Sequence, residues 1–350
     1  MNVENADAPT PPVGVIESLS IGFETVAGRL VLILLPLIVD VLLWVGPRVS
    51  FAPAIDTVIN TYHDRLWEPF VVSFNPEMAA IWPEFSAEMA TALGDRVTQY
   101  LPLVNLPLVG LPVLLAGHEA AALPFGLTPP LWQIASPLGM VGARIGALAG
   151  SILIGSLYVA LIAQQVGKGG LSLRNVFRRW PANVFWLGLF VVLLPILIAI
   201  LYIPFMVLAG GFLMLGGTMA YIGLVIDWGG RLIILWLMLF LVFTIHGLFM
   251  HEKALPGALW DSVRVVQWNM SATMLMALLF VVLSMAMTYV WNMAPKNSWL
   301  AIVGIAGNSF ISTGLIAASF VFFKDRYRYW QEVRAELLEE LQRRAREERG

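Results

Sequence analysis

Two ionisable side chains occupy apolar runs in which a charge is costly: Asp40, within Leu30 to Val45, and Arg144, near the start of Leu138 to Ala163. A carboxylate and a guanidinium in such places either form a structural ion pair or mark a polar site for a substrate or proton. The topology below sets both in the outer halves of their spans, so Asp40 and Arg144 form a candidate intramembrane ion pair, with a structural role preferred. Asp227 and Arg231, four residues apart, are expected to be an ordinary interfacial pair.

The histidines give no metal site. His246, His251 and Glu252 read His-x4-His-Glu, whereas zinc helices carry His-Glu-x2-His; five residues along a helix turn the two rings about 140° apart. His118-Glu119 is an isolated pair. There is no cysteine, which excludes disulfides, thiol nucleophiles and cysteine metal sites. No phosphate-binding Gly-x4-Gly-Lys-Ser/Thr and no Gly-x-Ser-x-Gly elbow occurs, and Gly307-Asn-Ser-Phe is only superficially like an intramembrane serine site. The expectation is a chain with no catalytic residue, no cofactor and no bound metal. Asn269-Met-Ser fits a glycosylation pattern but falls on the cytoplasmic side, and is read as chance.

Small residues carry a more specific signal. Gly142, Gly146 and Gly150 repeat every four positions, a stripe that lets another helix backbone approach closely. Gly304, Asn308, Ser312 and Ser319 are expected to face protein, not lipid.

The elements that hold these residues follow from composition. Of 350 residues 59% are hydrophobic and 13% charged, with a mean hydropathy of +0.78, too apolar for a domain dissolved in water. A formal net charge of −2 leaves no electrostatic footprint for nucleic acid. Six runs approach or exceed the roughly 20 apolar residues a spanning helix needs: Leu30 to Val45, Leu138 to Ala163, Val184 to Val207, Arg231 to Met250, Ala272 to Trp291 and Trp299 to Phe323. The predicted fold class is all-α, a polytopic transmembrane helical bundle of about six spans with interfacial amphipathic helices and an external helical segment. The glycine-rich stretch Leu208 to Trp228 reads either as a broken connection or as helical extensions of its two neighbours.

Residues 1–29 are predicted to be a cytoplasmic amphipathic segment without the basic region of a cleavable signal, and residues 30–45 the first span. Residues 46–137 form an extracytoplasmic helical or re-entrant segment, residues 138–323 the transmembrane bundle and residues 324–350 a charged cytoplasmic helix. Orientation rests on Lys168, Arg174, Arg178 and Arg179, which place the connection between the second and third spans inside. Within 46–137, Pro53 to Tyr100 reads as one or two helices broken at Asn75-Pro76. Leu101 to Gly117 is too rich in proline for a spanning helix and is expected to lie on the surface or re-enter.

Three stretches before spans look alike: Gly14-Val-Ile-Glu-Ser-Leu-Ser-Ile-Gly-Phe, Leu171-Ser-Leu-Arg-Asn-Val-Phe-Arg-Arg-Trp and Pro256-Gly-Ala-Leu-Trp-Asp-Ser-Val-Arg-Val. They read as in-plane amphipathic connectors rather than an internal repeat. In the third, Ala258, Leu259, Val263, Val266 and Met270 are predicted to share the apolar face, with Asp261, Arg264 and Gln267 elsewhere. The tail carries a narrow stripe, Trp330, Val333, Leu337 and Leu341, and the i,i+4 pairs Glu339 to Arg343 and Glu340 to Arg344; a solvated helix is preferred to a partner-docking one.

The stretch from Phe243 to Asn269, with His246-Gly-Leu-Phe-Met-His-Glu-Lys and Pro256-Gly-Ala-Leu-Trp-Asp-Ser-Val-Arg, resembles a loosely defined group of uncharacterised prokaryotic membrane proteins. That group includes the membrane domains attached to some glycerophosphodiester phosphodiesterases. Gly22-Phe-Glu-Thr to Leu43-Trp-Val-Gly-Pro-Arg, and Gly307-Asn-Ser-Phe-Ile-Ser-Thr-Gly to Phe323-Lys-Asp-Arg-Tyr, are similar to hypothetical proteins of Chloroflexi-type bacteria. The resemblance covers about half the chain and implies a membrane architecture, not an activity. This chain does not carry the phosphodiesterase barrel, so no catalytic residue is carried over, and its long outer segment departs from the group's short loops.

The expected function is that of a non-enzymatic membrane scaffold or accessory subunit in the cytoplasmic membrane, with cytoplasmic N- and C-termini. Its partners would be the lipid bilayer and a membrane or cytoplasmic protein met through the C-terminal helix. The alternative is a transporter or permease component with a polar site near Asp40 and Arg144.

Overall fold

The computed structural model describes residues 10–62, 111–114, 123–124, 130–168, 170–293, 295 and 297–347, with single positions at 65, 84 and 88. The expected break at Asn75-Pro76, the pair His118-Glu119 and residues 1–9 lie outside the described residues. So does all of Leu101 to Gly117 except residues 111–114. Two compact units divide the chain. One comprises Met1–Arg29, Ser156–Leu283 and Gly314–Gly350, and the other Leu30–Gly155 and Ser284–Thr313.

The described elements are almost entirely helical, as a chain in lipid requires, because a helix satisfies its own backbone where no water can. They are α1 (Val15–Ala27), a short 3-10 turn (Leu30–Ile33) running into α2 (Leu34–Val45), α3 (Ala52–Tyr62), α4 (Pro137–Lys168), α5 (Leu173–Leu215), α6 (Gly217–Leu241), α7 (Thr244–Met250), α8 (Leu255–Trp268), α9 (Met270–Asn292) and α10 (Leu300–Glu347). Five stretches are long and apolar enough to cross a membrane: α4, α5, α6 with α7, α9 and α10. A sixth results if α1 and the stretch Leu30–Val45, separated by a two-residue break, count as one. The protein is a multipass α-helical membrane protein.

In the first unit α5 and α6 form a long hairpin. α5 runs for 43 residues, about 65 Å at 1.5 Å per residue, with Pro181, Pro195 and Pro204 inside it. The hairpin turns at Gly216 and Gly217, whose φ values are 67° and 54°. Two consecutive left-handed residues are cheap only for glycine. A Cβ on Gly223 would stand 2.7 Å from the Ala209 carbonyl oxygen, and one on Gly230 2.7 Å from Phe205 Cβ, so these glycines let the two helices close on each other. Leu208 to Trp228 is therefore the helical extension of its two neighbours.

One further reading changes. The stretch Leu171 to Trp180 is no separate connector, since the helix passes from Leu173 through Pro181 without interruption. Proline removes one N–H and one hydrogen bond, but the rest of the backbone has no better partner in lipid than the helix itself. The charged tail is helical, as expected, and follows the last span without a break: α10 runs to Glu347. Its expected pairs are present, Arg343 to Glu339 at 4.0 Å and Arg344 to Glu340.

The core of this unit gathers Val15, Phe243, Val265, Val266, Phe322 and Phe323 with Met276, Ala318 and Tyr327. Phe243 stacks on Phe322 at 5.5 Å. α1 packs on α10 by glycine: a Cβ on Gly22 would collide with the Ala318 backbone, and one on Gly314 with the Phe23 ring.

The second unit holds the only described strands, a parallel ladder of β1 (Arg48–Ser50) with β2 (Leu131–Gln133), in which Val49 pairs with Trp132. Beside it Phe51, Ile55 and Ile59, at the start of and within α3, pack with Ile134, Met140 and Ala143. A second cluster joins Trp44, Leu123, Ala301 and Ile305, with Trp299 edge-on to Trp44 at 6.0 Å.

Candidate functional site

Asp40 lies on α2 with no exposed surface. Its Oδ2 accepts the backbone N–H of Leu114 at 2.7 Å. Nearby in sequence, the Pro112 carbonyl accepts a hydrogen bond from Asn308 Nδ2 at 2.9 Å. Residues 111–114 are not helical, and Leu111, Val113 and Leu114 are buried. A non-helical strip in an apolar interior keeps its backbone only if side chains replace the missing hydrogen bonds. Asp40 and Asn308 do this, one as acceptor and one as donor. The structure thus places Asp40 in a backbone clamp, and Asn308, which the sequence marked only as protein-facing, is its second jaw.

Arg144 is half-buried on α4, its guanidinium 5.3 Å from the centre of the Phe51 ring. Asp40 thus reaches the Leu114 backbone and Arg144 the Phe51 ring. The glycine stripe behaves unlike Gly22 or Gly223. A Cβ on Gly142, Gly146 or Gly150 would meet nothing within 4 Å among the described residues, so the stripe is open, with no described helix backbone closed upon it.

In the first unit the polar groups converge on the turn between α7 and α8. Glu252 has a positive φ of 56°, an uncommon backbone state for a residue with a side chain. Its carboxylate pairs with Arg179 of α5. The next residue, Lys253, donates to Asp261 Oδ2 at 2.6 Å and to the Tyr327 hydroxyl at 2.9 Å, while His251 Nδ1 lies 3.7 Å from the same carboxylate oxygen. Two oppositely directed charged anchors thus hold the turn. Burial pushes the Asp261 carboxyl up, but the nearby His251 ring and the hydrogen bond and charge of Lys253 outweigh it and hold the group below its ordinary range. Burial lowers Lys253, and its bonds to Asp261 and Tyr327 more than offset this, raising it.

This cluster corrects the apolar face expected of α8. The buried residues are Leu255, Ala258, Asp261, Ser262, Val265 and Val266; the face is rotated to include Asp261. Lys253 neutralises the carboxylate and is itself held by the Tyr327 hydroxyl, so burial is tolerable. Ser262 is buried for a similar reason: its hydroxyl accepts from Phe243 N at 3.0 Å and donates to the Phe240 carbonyl at 2.6 Å, bridging the α6–α7 break.

His246 is buried among Phe243, Phe320 and Phe323, and its Nε2 is 2.8 Å from Ser319 Oγ. The single Ser319 hydroxyl hydrogen points to the Ile316 carbonyl at 2.7 Å, so the imidazole donates to Oγ. A serine whose proton goes to a carbonyl is not activated by that histidine, and the pair ties α7 to α10. Asp227 accepts from Arg231 at 2.8 Å, as expected, and also from the Tyr202 hydroxyl at 2.5 Å, which pins α5 to α6. Among the described residues no three metal-ligating side chains converge.

Comparison of the chain with known protein families, curated proteins and solved structures finds no match.

Proposed function

We propose that this chain is a non-enzymatic scaffold or accessory subunit of a prokaryotic plasma membrane, of the same kind as the uncharacterised membrane proteins its sequence resembles. Both ends of the chain face the cytoplasm, and the exposed part of α10 meets a membrane or cytoplasmic protein. One observation carries the reading: three buried polar side chains, Asp40, Asn308 and Ser262, bond to the fold itself. Asp40 holds Leu114, Asn308 holds Pro112, and Ser262 bridges Phe243 to Phe240. A solute path needs polar groups left available inside the membrane. The competing transport reading at Asp40 and Arg144 asks for a carboxylate open to solute, whereas Asp40 has no exposed surface.

Past Trp330, the stripe on α10 leaves Leu337 and Leu341 half or more exposed, 50% and 61%, on a helix otherwise rich in charge. The test is crosslinking in native membranes followed by purification of the full chain and of a chain ending at Phe323. A defined protein crosslinked to the full chain and lost on truncation supports the proposal. Ion or solute flux through reconstituted vesicles, abolished by Asp40→Asn in a protein that still folds, overturns it.

A further inference from the structure

A cavity of about 220 Å3 opens where α4 ends, α5 begins and α7 ends. Its floor is buried and apolar, formed by Ala163, Val176 and Phe249. Its rim carries three cations, Lys168, Arg178 and Arg179, against one carboxylate, Glu252. That carboxylate is taken by Arg179. Lys168 and Arg178 have no carboxylate or hydrogen-bond partner for their side chains among the described residues, and the Asn175 amide lines the same wall. The apolar run of α4 ends at Ala163 and that of α5 begins at Val184, which puts the rim at the depth of lipid headgroups.

We propose that this cavity binds the phosphate of an anionic phospholipid, with Lys168 and Arg178 on the phosphate oxygens, Asn175 as a neutral donor, and the glycerol end of the lipid against Val176 and Phe249. Two uncompensated cations select net negative charge, and a zwitterionic headgroup brings a cation of its own. The apolar floor selects an amphipath over a free anion. The volume is below the roughly 300–1,000 Å3 of sites for drug-sized molecules, which suits a headgroup whose chains remain in the bilayer. Another basic cavity of this unit, about 440 Å3 around Lys253, Arg264 and Arg334, is differently built. There Lys253 is neutralised by Asp261, and both arginines lie over the Trp330 ring at 5.1 and 5.5 Å. The inference does not depend on the scaffold reading.

The test uses the full chain in phosphatidylcholine vesicles, comparing the immobilised fraction of spin-labelled phosphatidylglycerol with that of spin-labelled phosphatidylcholine. The expected result is a preference for phosphatidylglycerol that falls roughly twenty-five-fold in Lys168→Gln with Arg178→Gln, at about fivefold per basic residue. Arg178→Gln alone, at an exposed position, should lose about fivefold and serves if the double variant does not accumulate. Arg174→Gln, on the same helix but outside the cavity, should keep the preference. No preference in the wild type, an undiminished one in the Arg178→Gln protein, or an equal loss in Arg174→Gln overturns the proposal. Abolition of the preference by millimolar inorganic phosphate also overturns it and assigns the cavity to a free anion.

Discussion

A carboxylate that accepts a backbone N–H inside an apolar interior takes the part water plays outside it. Asp40→Asn retains an amide oxygen that can still receive Leu114 N–H and is expected to cost less than Asp40→Ala, which strands that N–H and should cost about 1–3 kcal/mol. Denaturation in mixed micelles measures both; equal losses would mean the Leu114 bond is not what Asp40 provides. Combining Asp40→Asn with Arg144→Gln tests the ion pair expected from sequence, which predicts a double variant milder than the sum of the singles. The Lys253–Asp261 pair gives a pH dependence of known sign. Asp261 is depressed on folding, so its contribution is present above the unfolded carboxyl range near 4 and is lost as pH falls through its lower folded value. Lys253 is raised, so its contribution is complete below about pH 10 and is lost as pH rises through the higher folded value. Asp261→Asn should flatten the acid limb of a thermal-stability profile, and an unchanged limb would sink the assignment. At this scale the sequence marked Asp40 by its cost in lipid but not its partner, because Leu114 contributes only a backbone N–H, which no side-chain pattern reports. Asp261 was placed off the buried face because hydrophobic periodicity treats every carboxylate as exposed, while Lys253 and Tyr327 come from elsewhere in the chain.

Among the elements, the α5–α6 turn makes the sharpest test. Gly216→Ala with Gly217→Ala forces two side chains into left-handed backbone and should cost about 1–2 kcal/mol per residue, read as a lower unfolding midpoint in detergent. Little or no loss would mean that the turn does not need two glycines. The stripe on α4 is the contrasting case. Gly146→Ala meets open space and removes a helix glycine, so the isolated protein should be unchanged or gain up to about 1 kcal/mol; a clear loss would restore the packing role read from its spacing. Five of the six expected spans were legible, since apolar length alone identifies a helix in lipid, whereas Leu30 to Val45 reaches spanning length only together with α1. Whether Leu208 to Trp228 broke or continued was not, because five glycines argue equally for a loose link and for two helices in close contact, and only the facing residues Ala209 and Phe205 decide. The continuity of α10 was hidden by its change from apolar to charged residues, which alters the surroundings of a helix without ending it.

For the molecule as a whole, large apolar side chains stand exposed along the spans, such as Ile200, Val207, Val225 and Leu235, each at 64% or more. Surfaces of this kind require lipid, so the chain should stay in the pellet after an alkaline carbonate wash. The sequence has no cysteine, which makes single introduced thiols clean reporters of sidedness. Among the described residues, four crossings separate Arg174 from Leu341 and one separates Thr57 from Arg174. Cysteines at Arg174 and Leu341 should therefore react from one side of the membrane and a cysteine at Thr57 from the other; Thr57 reacting with the first two would break the topology. The hairpin carries one more consequence. From Phe185 to Leu215 there are 31 residues without a charge, about 46 Å of helix. Fitting that into a hydrocarbon layer of about 30 Å by inclination alone would take roughly 50°, more than spanning helices adopt. The surrounding bilayer must stretch or the arm must bend at Pro195 or Pro204, and this hydrophobic mismatch should concentrate the protein in the thicker patches of a membrane that offers more than one thickness.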